Sequence, residues 1–233
     1  MLRSCTFALI FLLAIVSSNN EYAHPIIRCR RPGHIALTFD DGPGPYTSQL
    51  LETLSSKGVP VTFFVIGEQL EEKKYAQVLK RAFDEGHEIA SHTYSHPNLS
   101  ELSKSETSKE LTKCAGLIEG IIGKNPSYLR CPYGNCDSDT KEHLGSKGYK
   151  LIQWNLDTND WKYAEKDRKP QNLENIQKVL EVSNPETSSY IILMHDIHEG
   201  TVNQISAVID YIRKSGYTLT TVSDCIGDNK PYF

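Results

Sequence analysis

Two adjacent carboxylates, Asp40 and Asp41, are the first candidates for chemistry in this sequence, and they lie in the run TFDDGP at residues 38–43. One carboxylate could bind a metal ion while the other stays free to act as a base. Asp-Gly and Gly-Pro are also ordinary turn dipeptides. The run by itself is therefore more typical of a turn than of a site.

A pair of histidines, His92 and His96, follows in the run HTYSH with a spacing of four residues. On a helical turn both imidazoles would face the same way, as the ligand pairs of zinc sites do. With one aspartate they would form a three-ligand site that keeps positions open for water and substrate, which is typical of a catalytic metal. The pair alone is equally compatible with an ordinary polar loop.

Three further motifs could supply the remaining groups of a hydrolytic site. Arg130 begins the run RCPYG, whose Pro-x-Gly turn could aim a backbone N–H as an oxyanion hole requires, although a surface arginine beside a tight turn is an alternative. Trp161 ends the run DTNDW and could form the floor of a sugar groove or lie in the core. His195 ends the run LMH and could be a general acid beside a carboxylate, or a buried neutral histidine.

Regular elements must position these residues, and the hydrophobic pattern predicts seven strands that alternate with helices. The predicted strands are residues 35–39, 61–66, 87–91, 128–131, 150–156, 190–195 and 217–222. The predicted helices are residues 45–57, 68–85, 103–122, 138–147, 173–182 and 202–214. Continuous apolar strands in this alternation indicate a parallel sheet covered by helices, either an open doubly wound sheet or a closed barrel.

The candidate residues share one position relative to the predicted strands, because each lies at or just after a strand end. They are Asp40, Asp41, His92, His96, Arg130, Asp160 and His195. The carboxyl ends of parallel strands meet on one face of an α/β protein. The sequence therefore predicts that these side chains converge on one site.

Length and composition are those of an ordinary globular protein. A chain of 233 residues suits one domain with a full hydrophobic core. Hydrophobic residues make up 39% of the chain and charged residues 23%, and the formal net charge is −4. No basic stripe is present, so we expect no nucleic-acid partner.

The first 18 residues are predicted to be a secretory signal peptide, with cleavage between residues 18 and 23. The apolar run from Cys5 to Val16 is too short to span a bilayer comfortably, although an uncleaved anchor is an alternative. No later segment of the sequence has the length and apolarity of a transmembrane helix. We therefore expect one folded domain over residues 24–233 of a secreted protein, outside the cell or at the cell wall.

Five cysteines follow the predicted signal peptide, which suits an oxidising compartment and leaves at least one thiol without an intramolecular partner. Cys131 and Cys136 flank a turn and could close a small loop. Cys29 and Cys225 could join the two ends of the domain, and Cys114 is predicted to be a buried free thiol. The spacing alone leaves the connectivity open.

The order of the motifs resembles that of the polysaccharide deacetylases of the fourth carbohydrate esterase family, which share the NodB homology domain and include the chitin deacetylases. The resemblance covers about residues 33–225 and rests on TFDDGP, HTYSH, RCPYG, DTNDW and LMH. It implies a distorted (β/α) barrel with about seven parallel strands and a divalent metal, zinc first and cobalt as an alternative. It also implies two disulfides, Cys29 with Cys225 and Cys131 with Cys136.

Carried over motif by motif, the resemblance assigns roles to the site residues. The implied metal ligands are Asp41, His92 and His96. The implied catalytic groups are Asp40 as general base, His195 as general acid, Arg130 orienting Asp40, Asp160 paired with His195, and the Tyr133 N–H at the oxyanion. The implied substrate contacts are Trp161, Leu193 and Tyr133.

The implied reaction is metal-dependent hydrolysis of N-acetyl groups on an amino-sugar polysaccharide by a monomeric enzyme, with chitin as the first candidate polymer. One alternative is a deacetylase of another glycan, such as peptidoglycan or an O-acetylated polymer. A second alternative is a non-catalytic cell-wall or carbohydrate-binding protein that retains the metal site. The loops that select a polymer are not readable from the sequence.

Overall fold

One curled sheet positions the functional loops of this protein. The structure, a computed structural model, describes residues 24–163 and 171–233. The predicted signal peptide and its cleavage region lie outside the described residues. Within those residues, no helix combines the length and apolarity that crossing a membrane requires.

Strands and helices alternate along the described chain. The strands are β1 (His34–Asp40), β2 (Thr62–Val65), β3 (Glu88–Ser91), β4 (Tyr128–Leu129), β5 (Lys150–Leu151), β6 (Leu156–Asp157), β7 (Tyr190–His195) and β8 (Thr218–Thr220). The helices are α1 (Thr47–Lys57), α2 (Lys73–Asp84), α3 (Lys104–Ile122), α4 (Ser138–Ser146), α5 (Asn172–Leu180), α6 (Glu199–Lys214) and α7 (Val222–Ile226). Short 3₁₀ turns lie at Glu68–Glu71, Leu99–Glu101, Pro132–Gly134 and Asp160–Lys162.

All strand pairings in the described sheet are parallel, in the order β5-β4-β3-β2-β1-β7-β6, and β8 pairs with the start of β1. β5 and β6 stand at opposite ends of this order, yet residues 152–155 alone separate them in the chain. So short a connection requires the sheet to curl until its two edges are close. The predicted distorted barrel of parallel strands is confirmed.

Two predicted elements are wrong in detail. The predicted strand 150–156 is divided into β5 and β6, because residues 152–155 cross from one edge of the sheet to the other. The predicted helix 68–85 is divided at Glu72, whose extended backbone separates a 3₁₀ turn from α2. The Glu72 carbonyl accepts the N–H groups of Tyr75 and Ala76, so α2 starts anew at this point.

β1 is the central strand, and its alternating side chains divide the core into two layers. Ile35, Leu37 and Phe39 pack against the helices outside the sheet. Thr38 and Asp40 fall on the opposite face, which lines the interior of the barrel, and both are buried. The last residue of β1 therefore carries a carboxylate toward the carboxyl end of the barrel interior.

Two disulfides tie the periphery of the barrel together. Cys29 is bonded to Cys225 in α7 across a separation of 196 residues. Cys131 is bonded to Cys136 around the turn after β4. Cys114 in α3 is buried and free.

Candidate active site

The loops after β1, β3, β4, β6 and β7 surround a pocket of about 420 Å³ at the carboxyl end of the strands. The pocket is lined by Asp40, Asp41, His92, His96, Cys131, Tyr133, Gly134, Trp154, Asp157, Trp161, Leu193 and His195. Two predicted site residues lie behind this lining, Arg130 against Asp40 and Asp160 against His195. The structure thus brings every predicted site residue to one place.

Asp41, His92 and His96 form a compact cluster whose potential ligand atoms lie within 4.8 Å of one another. The Asp41 Oδ1 atom is 3.5 Å from His92 Nε2 and 3.4 Å from His96 Nε2. Ligands of a tetrahedral zinc ion, each about 2.0–2.2 Å from it, lie about 3.3–3.6 Å apart. Asp41 Oδ1 is also buried without a hydrogen-bond partner in the described structure, so the three residues fit a divalent metal.

His92 is held in the tautomer that a metal ligand requires. Its Nδ1 lies 2.8 Å from the Arg130 carbonyl oxygen, and because a carbonyl can only accept, Nδ1 carries the hydrogen. Nε2 is then left with its lone pair toward Asp41. Burial lowers the pKa of His92 to about 3, which keeps the imidazole neutral, as metal ligation demands.

Arg130 fixes the Asp40 carboxylate from below. Its Nη1 donates to Asp40 Oδ1 at 2.6 Å and to Thr38 Oγ1 at 2.8 Å, and its guanidinium stacks on Phe64 at 3.9 Å. Burial raises the pKa of Asp40, and the Arg130 charge opposes that rise and favours the ionised carboxylate. The second oxygen, Oδ2, is 3.8 Å from His92 Nε2, so it lies beside the metal cluster with the geometry of a base.

His195 and Asp160 form an oriented pair beside the same cluster. His195 Nδ1 donates to Asp160 Oδ1 at 2.8 Å, and its backbone N–H donates to Oδ2 at 2.7 Å. Burial alone would lower the pKa of His195, but this hydrogen bond and the charges of Asp160, Asp40 and Asp41 raise it to about 9. The imidazolium therefore holds a proton at neutral pH and presents Nε2 4.0 Å from Asp41 Oδ2.

Aromatic and apolar side chains form the rim and wall of the pocket. Tyr133 and Trp161 are 70% and 49% exposed, which is unusual for residues of this size and offers two faces on which sugar rings can stack. The Tyr133 ring packs edge-on against His96 with centroids 4.6 Å apart. Leu193 is buried at the wall and suits a small apolar group such as a methyl.

Three contributors to the site were not predicted from the sequence. Thr201, in the first turn of α6, donates its hydroxyl to Asp160 Oδ2 at 2.8 Å. Trp154 lines the pocket so closely beneath Gly134 that a Cβ there would lie 2.8 Å from the indole. A threonine in a helix carries no sequence signal for such a contact, whereas an aromatic residue shortly before the DTNDW motif could have indicated Trp154.

Asp196 is the third unpredicted contributor, and it supports the loop that follows Asp40 and carries Asp41. It is fully buried, accepts a hydrogen bond from the Thr47 hydroxyl, and occupies the space that a side chain on Gly42 would need. Burial raises the pKa of Asp196 to about 7. Thr47 in turn accepts the Gly44 N–H at 2.7 Å, so the loop after β1 is fastened to the residue that follows β7.

Comparison with known proteins gives consistent matches. A family model described as polysaccharide deacetylase matches residues 28–152. A chitin deacetylase of Colletotrichum lindemuthianum is 36% identical over 208 residues, which are 88% of this chain and 84% of that protein. A solved structure of the chitin deacetylase from this fungal pathogen matches with a TM-score of 0.86 over 91% of this chain and 96% of the other.

A bacterial relative matches with a smaller share of its own length. The peptidoglycan-N-acetylglucosamine deacetylase PgdA of Listeria monocytogenes is 33% identical over 204 residues. The match covers 85% of this chain and 41% of that protein. Similarity to proteins of both kinds thus spans most of this chain and is not restricted to single motifs.

Proposed function

This chain belongs to the polysaccharide deacetylase family, and we propose that it acts as a secreted enzyme with zinc as its metal and chitin as its polymer. It is a metal-dependent hydrolase that removes N-acetyl groups from an amino-sugar polysaccharide. The observation that carries the proposal is the position of the Asp41-His92-His96 cluster. It lies beside both a carboxylate suited to accept a proton, Asp40, and an imidazolium suited to donate one, His195.

The proposed mechanism divides the two proton transfers between Asp40 and His195. A divalent ion held by Asp41, His92 and His96 would polarise the acetyl carbonyl and lower the pKa of the attacking water. Asp40 takes a proton from that water as the water oxygen bonds to the carbonyl carbon. The Tyr133 N–H stabilises the negative charge that develops on the carbonyl oxygen.

The second half of the reaction breaks the carbon–nitrogen bond. An amine is a poor leaving group, so the nitrogen must gain a proton as the bond breaks. His195 donates it from Nε2, while Asp160 stabilises the orientation of the ring. Acetate leaves with the carbonyl carbon, and the free amino group stays on the sugar.

Several observations support chitin and secretion. Two exposed aromatic rings flank a pocket large enough for one sugar unit, as binding a β-linked polymer requires. The relative named as a chitin deacetylase is 36% identical and is matched over 84% of its length. The two disulfides and the predicted signal peptide suit an oxidising compartment.

The test is acetate release from chitooligosaccharides, colloidal chitin, peptidoglycan and O-acetylated xylan, each assayed with metal-free, Zn²⁺-loaded and Co²⁺-loaded protein. We expect release from the two chitin substrates after zinc is added. Release from peptidoglycan or xylan alone would contradict chitin as the polymer. Release from none of the substrates would favour a carbohydrate-binding protein.

Variants test the proposed roles separately from the metal. Asp40→Asn and His195→Ala should each lower turnover by about 10²–10⁴-fold while binding zinc as the wild type does. His143→Ala, which changes a histidine on α4 away from the pocket, is the matched control and should keep full activity. Full activity in Asp40→Asn or His195→Ala would overturn the assignment of that residue.

A further inference from the structure

The loop from His92 to His96 carries two of the three metal-binding side chains in a backbone conformation that is costly for ordinary residues. Thr93 and His96 have φ values of 70° and 59°, in the left-handed region that favours glycine. Each such residue costs about 1–3 kcal/mol unless the surroundings impose it. Something outside the loop must therefore hold it in place.

Several backbone groups of the loop are paired with neighbouring residues or within the loop itself. The Thr93 and Tyr94 carbonyls accept the N–H groups of Gly67 and Glu68 at 3.0 Å and 2.8 Å. The His96 N–H donates to Thr93 Oγ1 at 3.1 Å. These bonds set the curvature of the loop but leave the central N–H groups of the loop to be paired from another side.

The two central N–H groups of the loop, those of Tyr94 and Ser95, are bound by one carboxylate. Glu110, which projects from α3, accepts the Tyr94 N–H at 3.0 Å and the Ser95 N–H at 2.8 Å through Oε2. Its other oxygen, Oε1, accepts the Ser95 hydroxyl at 2.8 Å. Adjacent N–H groups that point to one place form a concave anion-binding nest, and a carboxylate is a strong acceptor for it.

We propose that Glu110 is a positioning residue for the metal centre, acting on His92 and His96 through the backbone between them. This rests on the proposed metal-binding role of Asp41, His92 and His96. The charge of Glu110 stabilises the left-handed conformation that brings both imidazoles to Asp41. Glu110 itself takes no part in ligation or proton transfer.

A second set of contacts ties the same loop to α3 and the 3₁₀ turn after β2. The Tyr94 hydroxyl donates to Glu71 Oε1 at 2.9 Å, and the Lys113 ammonium lies 3.5 Å from the Tyr94 ring centroid. Lys113 also pairs with Glu71 at 3.1 Å. These contacts hold the Tyr94 side chain and not the loop backbone, so Glu110 is the group whose removal should release the loop.

The experiment measures metal affinity directly. Full-length protein is freed of metal with a chelator and titrated with Zn²⁺ against a competing chromophore, and with Co²⁺ by its visible absorption. We expect Glu110→Ala to weaken binding of both ions by about 10–100-fold, the usual effect of removing an outer group that orients metal ligands. Glu110→Gln keeps an acceptor but loses the charge, and it should weaken binding less.

The matched control is Glu119→Ala, which removes an exposed carboxylate from the same helix. It should bind both ions as the wild type does. Wild-type affinity in Glu110→Ala, or equal losses in Glu110→Ala and Glu119→Ala, would overturn the proposal. If Glu110→Ala does not fold, the same comparison is made with Glu110→Gln, and wild-type affinity in that variant would overturn it.

Thermal unfolding separates positioning from a merely structural role. A ligand raises Tm according to its affinity for the folded chain, so a positioning residue changes the gain in Tm on adding zinc. A merely structural residue would lower Tm equally with and without zinc, and that result would contradict the proposal. These readouts need no substrate, so missing acetate release would refute the proposed function alone, whereas a wild type that binds no metal would refute both.

Discussion

The two ends of the barrel each bury a carboxylate in different surroundings. At the carboxyl end, Asp40 is paired with the Arg130 guanidinium and borders a pocket open to solvent. At the amino end, Glu88 accepts hydrogen bonds from neutral donors, the Thr62 hydroxyl at 2.8 Å and the Ser223 N–H at 3.2 Å. Burial raises the pKa of Glu88 to about 7. Burial raises the pKa of both carboxylates, but at the carboxyl end the Arg130 guanidinium opposes the rise, whereas Glu88 is hydrogen-bonded by neutral donors.

The two ends of the barrel also differ in which residues adopt the left-handed backbone conformation. All five non-glycine residues with left-handed φ in the described chain lie in loops around the pocket. They are Asp41, Thr93, His96, Tyr133 and Asn159. At the amino end the left-handed positions are glycines, such as Gly58 and Gly86 before β2 and β3, where this conformation costs little. Backbone strain is therefore concentrated in the loops around the pocket. Substitutions at the pocket end should mainly affect activity, and substitutions at the amino end should mainly affect stability.

The largest effect is expected from Arg130→Met, which should lower both the turnover and the stability of the protein. Asp40 would stay buried without a counter-charge, so its pKa would rise and the protonated carboxyl could not act as a base. We expect turnover to fall more than about 10²-fold and stability to fall by about 3–5 kcal/mol. Kinetics and urea unfolding measure these changes. Arg81→Met on α2, which removes partly exposed ion pairs, should change neither by much, and near-normal turnover in Arg130→Met would contradict the assignment.

Opening the Cys29–Cys225 disulfide should affect stability alone. The double variant Cys29→Ser/Cys225→Ser removes a crosslink between residues 196 positions apart, so the unfolded chain gains conformational freedom. It should lose about 2–5 kcal/mol of stability. The activity of the folded fraction should stay within about twofold. The comparison is Cys131→Ser/Cys136→Ser, which opens a short loop beside the pocket and should lose less stability but more activity. If the Cys29/Cys225 variant lost more activity and the Cys131/Cys136 variant lost more stability, the proposed difference between the two ends would be refuted.

Glu88→Gln should flatten the dependence of stability on pH. The pKa of Glu88 is about 7 in the fold against an ordinary 4.5, so the fold favours the protonated form. Its stabilising contribution is complete below pH 4.5 and is lost as pH rises to about 7, a change of up to about 3 kcal/mol. Urea unfolding from pH 4 to 8 should show this fall in the wild type and in Glu119→Gln. The fall should be smaller in Glu88→Gln, where Asp196, whose pKa burial also raises to about 7, still contributes. An equal fall in all three would exclude Glu88 as its source.

The smallest effect is expected at Thr201, which donates a hydrogen bond to Asp160 of the Asp160–His195 pair. Thr201→Val removes the hydroxyl that donates to Asp160, and one such hydrogen bond is worth about 1 kcal/mol. We expect kcat to fall about fivefold, with KM and zinc affinity unchanged. Thr201→Ser retains the hydroxyl and should keep most of the activity. A change in KM alone would place Thr201 in substrate binding.

Local patterns predicted much of this arrangement. Asp40, His92 and His195 each follow an apolar run, and parallel strands must present their carboxyl ends together, so the convergence follows from the alternation itself. The division of residues 150–156 could not be predicted, because a short segment rich in Leu, Ile and Trp has the same pattern whether it continues along one edge of the sheet or crosses to the other. Glu110 and Thr201 act across contacts between helices and loops that no local pattern encodes. The roles of the site residues remain predictions that the variants above test.

The position of β1 has a consequence for synthesis of the protein on the ribosome. This strand is made early, yet Thr38 binds Ile192, a residue 154 positions later, and the start of β1 pairs with β8. Until the last fifth of the chain emerges, β1 has one complete neighbour, β2, and an unpaired apolar edge. Such an edge invites association with other chains. Productive folding should therefore depend on keeping this edge away from other chains until β7 and β8 have been made.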